Sequence, residues 1–93
     1  MTHIVITEGD NDFRVHMQEP LENAVEYDLA IFPVNTVFTR QMAALVAAEY
    51  SHRNGIPINM EGLTQSTVDA LRHAERDHGL LVTYRIKIGD KVA

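Results

Sequence analysis

The chain has no cysteine. Disulfides, thiolate metal centres and cysteine nucleophiles are therefore excluded, and the absence fits a reducing compartment. Long apolar runs are missing too: "LAIFPV" and "MAALVAA" fall far short of a bilayer span. The start, "MTHIVITEGDND", has neither a basic n-region nor an apolar stretch of leader length, so it does not read as a secretory signal. No Gly-rich phosphate loop, nucleophile elbow or zinc-protease helix motif is present, which leaves enzymatic activity without support. The expectation from these absences is a soluble cytoplasmic protein with no cofactor and no membrane attachment.

What is present is ordinary for a globular protein: 93 residues, 45% hydrophobic and 23% charged, enough for one domain over residues 1–93. The net charge of −5 is uneven. Met1–Asp28 sets seven acids against one arginine, whereas Glu61–Ala93 balances five acids with five bases. Such a distribution argues against generic polyanion binding and permits an acidic face that meets a basic partner. Glu8, Asp10, Asp12, Glu19, Glu22, Glu26 and Asp28 would form that face. In "EGDNDFRVHMQE" some of these acids occupy calcium-loop positions, but the sharp-turn glycine is replaced by Phe13. Strand alternation through Met17 also opposes a calcium loop, and Asp10 and Asp12 read as hairpin-turn residues.

Hydrophobic patterning predicts an α+β fold. "HIVIT" and "DFRVHM" flank the turn-rich "EGDND" as an N-terminal hairpin, with Phe13, Val15 and Met17 on its buried face. "LAIFPV" reads as a central strand covered on both faces, with Pro33 near its end. A first helix is expected over Val37–Arg53, capped by Asn35, Thr36 or Thr39 and stopped at Asn54-Gly55. Its alanines 43, 44, 47 and 48 allow close approach by a neighbour. A second helix starts at Thr64, or at a Ser66/Asp69 capping box, and stops at Gly79. In "LLVTYRIKI" apolar Val82, Tyr84, Ile86 and Ile88 alternate with Thr83, Arg85 and Lys87, a half-buried C-terminal strand with a basic outer face. The expected architecture is a mainly antiparallel sheet of hairpin, central strand and C-terminal strand, with both helices packed on one face.

The two helices share a motif, Ala-Leu-x-x-Ala-Glu-x-x-His, at Ala44–His52 and Ala70–His78. Glu-x-x-His sets a carboxylate beside an imidazole on one helix face. Here Glu49 and His52 extend a stripe begun by Phe38, Met42 and Leu45, and Glu75 and His78 extend one begun by Val68 and Leu71. Paired motifs of this kind hold metals in carboxylate-bridged bundles, which add glutamates from two further helices. The same spacing also ends a helix well, because an imidazole favours the negative C-terminus and pairs with the Glu one turn back. An antiparallel helix pair would hold the two Glu-His pairs about 20 Å apart. Only a parallel pair or a dimer can bring them together. His3 and His16 fall on strands, and His73 is flanked by Asp69 and Asp77 at helical spacing, a geometry open to general-base chemistry or to a plain charge ladder.

"LTQSTVDALRHAERDHGLLVTYRI" resembles the recognition helix and first wing strand of winged helix-turn-helix proteins. The matching features are Thr64, Ser66 and Thr67, then Val68 and Leu71, then Glu75, then Gly79-Leu80-Leu81. The resemblance implies that Gln65, Ser66, Asp69 and Arg72 face the major groove and that Arg85 and Lys87 reach phosphates. It covers about a quarter of the chain, and between Gly55 and Thr64 there is no room for the bracing helix of that family.

The sequence thus points to a small acidic non-enzymatic interaction protein of inhibitor, adaptor or viral accessory type, binding a protein partner through its acidic N-terminal face. A winged-helix-like DNA-binding regulator, dimeric, is the alternative. A metal site of Glu49, His52, Glu75 and His78 at an oligomer interface is the third reading.

Overall fold

The computed structural model describes residues 2–18 and 26–85. Strands β1 (His3–Glu8), β2 (Phe13–Gln18) and β3 (Glu26–Phe32) are followed by helix α1 (Val37–Asn54). Then come strand β4 (Ile58–Asn59), helix α2 (Gln65–His78) and strand β5 (Tyr84–Arg85). The five strands form one sheet in the order β3-β2-β1-β4-β5. The α+β expectation holds, and the sheet is mixed rather than mainly antiparallel. β1/β2 and β2/β3 pair antiparallel, whereas β4 pairs parallel with both β1 and β5. Each parallel partner arrives through a helical crossover, the connection that parallel pairing requires.

The expected place of the third strand is corrected. β3 is an edge strand, not a central one, because its hairpin connection sets it outside β2 while β4 takes the free flank of β1. Ile31 on β3 is accordingly exposed. The edge is irregular: Val15 faces Ala30 but His16 faces Asp28, which leaves Leu29 as an extra residue in β3. Such a bulge disturbs the outer ladder of an edge strand. The C-terminal strand is described only at Tyr84–Arg85, where Val82 and Tyr84 are half-buried and Thr83 and Arg85 exposed, as the alternation predicts.

Connectivity sets the helix directions. β3, β4 and β5 all run the same way, so α1 and α2 both return against them and are parallel to each other. The contacts at the helix ends agree. At one end of the sheet Gly9 O accepts from the Asn35 amide (2.6 Å), just ahead of α1. Glu8 accepts there from Thr64 N–H and hydroxyl, both at 3.1 Å, at the start of α2. At the other end, Ser51 and His52 of α1 accept from the backbone N–H groups of Thr83 and Leu81, which follow α2. Thr36 and Thr39 close a reciprocal capping box on α1, and Thr64 alone caps α2. Gly55 and Gly79 end the helices in the left-handed region, at φ 67° and 63°.

α1 lies across β1, β2, β3 and β4, and α2 lies against α1. The face that α1 buries is made of small residues: Ala43, Ala44, Ala47, Ala48 and Ser51. These meet a core of Ile4, Ile6, Phe13, Val15, Ile58 and Leu71. Small side chains let a helix axis come close to a sheet already filled by branched and aromatic residues. Arg40 stacks over the buried Phe13 ring at 5.5 Å from its centroid. The expected core stripe of Phe38, Met42 and Leu45 is thereby corrected. It lies beside the buried face, and Phe38 and Met42 remain exposed.

Candidate functional site

Because α1 spends its small face on the sheet, its large apolar side chains are left for another surface. Phe38, Gln41, Met42 and Leu45 of α1 face Ala70, His73, Ala74, Asp77 and His78 of α2 across an open groove of about 390 Å³. That size lies within the range of ligand clefts, which commonly form between helices with an apolar lining and a few polar groups. The apolar lining is Phe38, Met42, Leu45, Ala70 and Ala74. Phe38 is 67% exposed and Met42 39%. Val37 and Val34, immediately before Phe38 in the chain, are 66% and 50% exposed. Large apolar groups concentrated in this way at the head of one helix are uncommon on a surface with no partner.

The polar wall of the groove belongs to α2. Nδ1 of His73 lies 2.8 Å from the Asp69 carbonyl oxygen. A carbonyl can only accept, so Nδ1 carries the hydrogen and Nε2 of the neutral ring keeps its lone pair. Asp77, one turn further on, is a carboxylate and likewise an acceptor. Gly79 terminates the helix directly after His78.

Of the acids expected to form a face, Glu8, Asp10, Asp12 and Asp28 have described side chains. Glu8 is occupied at the α2 N-cap, where a carboxylate also complements the positive end of the helix dipole. Asp10 and Asp12 are exposed in the β1–β2 turn, and the Asp12 carbonyl accepts from Gly9 N–H at 2.9 Å. Asp28 pairs with Arg14 at 3.3 Å on β2 and β3. Glu26 opens β3, and Glu19 and Glu22 lie outside the described residues. The turn sits at the end of the sheet that holds both helix N-termini, a physical reason for acids there that needs no partner.

Of the residues expected to meet DNA, Gln65, Asp69 and Arg72 stand at helical spacing on one face of α2. Gln65 and Ser66 are exposed at the start of α2, and Gln65 donates to Asp69 at 2.9 Å. Arg72 is exposed on α2. Arg85 donates to His3 Nδ1 at 3.2 Å. Lys87 lies outside the described residues. The stretch that resembles a recognition helix and wing folds differently: β4 precedes α2, and β5 returns parallel to β4. A helix-turn-helix joins its helices by a short turn, and here a strand stands between them.

The parallel helices bring both Glu-x-x-His ends to the same end of the sheet, the arrangement a shared site demands. The groups are nevertheless engaged separately. His52 Nδ1 accepts from Leu81 N–H at 2.9 Å, Tyr84 donates its phenol to Glu75, and His78 lines the groove. Glu49 is half-buried on α1. Among the described residues no three His, Asp or Glu side chains are placed to share a metal ion. Burial, followed by the hydrogen bond and negative charge of Glu75, raises the Tyr84 phenol well above its ordinary range.

His3 and His16 are both buried, 7% and 4% exposed, on the sheet face opposite the core side chains of β1 and β2. Nδ1 of His16 is inaccessible and has no hydrogen-bond partner among the described residues. No helix of the described residues is long and apolar enough to cross a membrane. Comparison of the chain with protein families, curated proteins and solved structures finds no match.

Proposed function

We propose that this chain is a non-enzymatic interaction protein whose docking surface is the α1–α2 groove together with the exposed head of α1. The observation that carries the reading is the exposure of Phe38 and Met42 on the lip of a preformed groove, while α1 meets its own sheet through alanine. Burying a Phe side chain is worth roughly 1.5–3 kcal/mol. That stabilisation is largely unused here and is available to a partner. Phe, Met and other large apolar groups are the usual anchors of such surfaces. The exposed Asp10 and Asp12 then act at longer range, by steering, rather than as the anchor.

The test is a nuclease-treated capture experiment with three forms of the protein: unaltered, Phe38→Glu/Met42→Glu, and Asp10→Lys/Asp12→Lys. Circular dichroism confirms folding of each. Loss of capture with the first pair, and a salt-sensitive weakening with the second, is the expected result. Capture that survives the first pair and disappears with the second returns the docking surface to the acidic turn. Absence of any protein partner, combined with a duplex-DNA shift that Arg72→Ala and Arg85→Ala remove, favours the DNA-binding reading instead.

A further inference from the structure

The groove's hydrogen-bonding character selects its occupant. Three of its features point the same way. Asp69 fixes the tautomer of His73 so that Nε2 is an acceptor. Asp77 adds a carboxylate one turn on, and among the described residues no Lys or Arg lines the groove. The whole chain carries a net charge of −5. His73 Nε2 and the Asp77 carboxylate call for donors, whereas Gln41 and His78 of the same lining can donate or accept. The carboxylate favours a positive charge on the donor set against it. A second copy of the chain brings the same acceptor wall and the same carboxylate, so like charges would meet.

The apolar lining selects shape. Phe38, Met42 and Leu45 stand four and three residues apart on α1. This is the spacing of one helical face, and a helix laid in the groove presents apolar anchors at a matching pitch. Resting on the docking reading above, we propose that the groove receives a cationic amphipathic helix of a protein partner. Its apolar anchors sit on Phe38, Met42 and Leu45, and a Lys or Arg of the same helix is set against Asp77 and His73.

Two synthetic peptides of about five helical turns test this. One is built from Leu and Lys in an amphipathic pattern, the other from Leu and Glu in the same pattern, each with one Trp. The chain has no Trp, so indole emission reports the peptide alone. At about 0.15 M salt, where surface charges are screened beyond roughly 8 Å, the Leu/Lys peptide should bind at least about tenfold more tightly than its twin. Asp77→Asn should cut that preference to about threefold or less, and Ala70→Phe, which fills the groove, should abolish binding.

Leu/Lys binding that survives Ala70→Phe is adhesion to an acidic surface and overturns the proposal. Equal binding of both peptides, lost together in Ala70→Phe, overturns the cationic occupant and leaves the groove as the docking surface. Failure of both peptides to bind overturns the helical occupant, while the Phe38/Met42 capture experiment decides separately whether the groove docks anything. A dimer of the chain alone, seen by sedimentation and dissolved by Ala70→Phe, places a second copy in the groove and overturns the proposal as well.

Discussion

The unusual division of labour on α1 makes a prediction that inverts the common rule for helices. Truncating a large apolar residue is ordinarily the damaging change, and enlarging an alanine the mild one. Here Ala47 is fully buried between α1 and the sheet, whereas Phe38 is 67% exposed. Ala47→Leu adds three heavy atoms to a closed interface, and overpacking of this kind costs about 1–3 kcal/mol. Phe38→Ala removes a ring of which only about a third is buried, so the loss is about a third of a full Phe burial, or roughly 0.5–1 kcal/mol. For a domain of this length each kcal/mol moves the midpoint by about 4–8 °C. Ala47→Leu should therefore lower Tm by about 4–24 °C, and Phe38→Ala by about 2–8 °C. Thermal and urea melts followed by circular dichroism measure both, with an unchanged m-value showing that the comparison is between similar unfolding reactions. A Phe38→Ala variant that melts well below Ala47→Leu would refute the reasoning, because it would make Phe38 part of the core and remove the argument for a docking surface.

The Glu8–Thr64 contact ties the β1–β2 turn to the start of α2 through both the N–H and the hydroxyl of Thr64. A double-mutant cycle of Glu8→Ala and Thr64→Ala should yield a coupling of about 0.5–1 kcal/mol, the usual scale for an exposed hydrogen-bonded pair; a value indistinguishable from zero would show that the tie adds nothing. The raised Tyr84 phenol carries a pH signature. Its proton is held more tightly in the folded state than in the unfolded state, so its contribution to stability is complete below about pH 10. That contribution is lost as pH rises through the higher folded value. Absorbance titration should show one phenol ionising later than an ordinary tyrosine, and Tyr84→Phe should remove that late component. Persistence of the late step in Tyr84→Phe would assign it to another tyrosine.

Much of the local structure was legible in the residues. The hairpin came from alternation around "EGDND". Both helices came from their Thr caps and Gly stops, since those signals depend only on backbone chemistry within a few residues. The mixed sheet was not legible, because β4 is only two residues long, directly after Gly55 and Pro57, which read as a loop. Its pairing with β1 is made by contacts distant in sequence. β3 read as a central strand because it is apolar throughout, yet strand order, which places it at the edge, is a property of connectivity. The groove was also missed. Phe38, Met42 and Leu45 have the spacing of a core stripe, and spacing alone does not say which of two apolar faces the sheet takes. The one available signal was the competing alanine row, which fits a tight helix–sheet contact better than the large residues do.

For the repeated Glu-x-x-His the division is the same. That each pair stands at the end of a helix is written in the local residues, because glycine in the left-handed conformation ends both. Tertiary structure sets the parallel run of the helices, since their direction follows from the sense of β3, β4 and β5. It also decided that His52, Glu75 and His78 then turn to different neighbours. Sequence periodicity specifies which residues share a face of an element. What each face meets is decided by packing, where the small alanine face is drawn to the crowded sheet and the larger apolar face of α1 is left open to a partner.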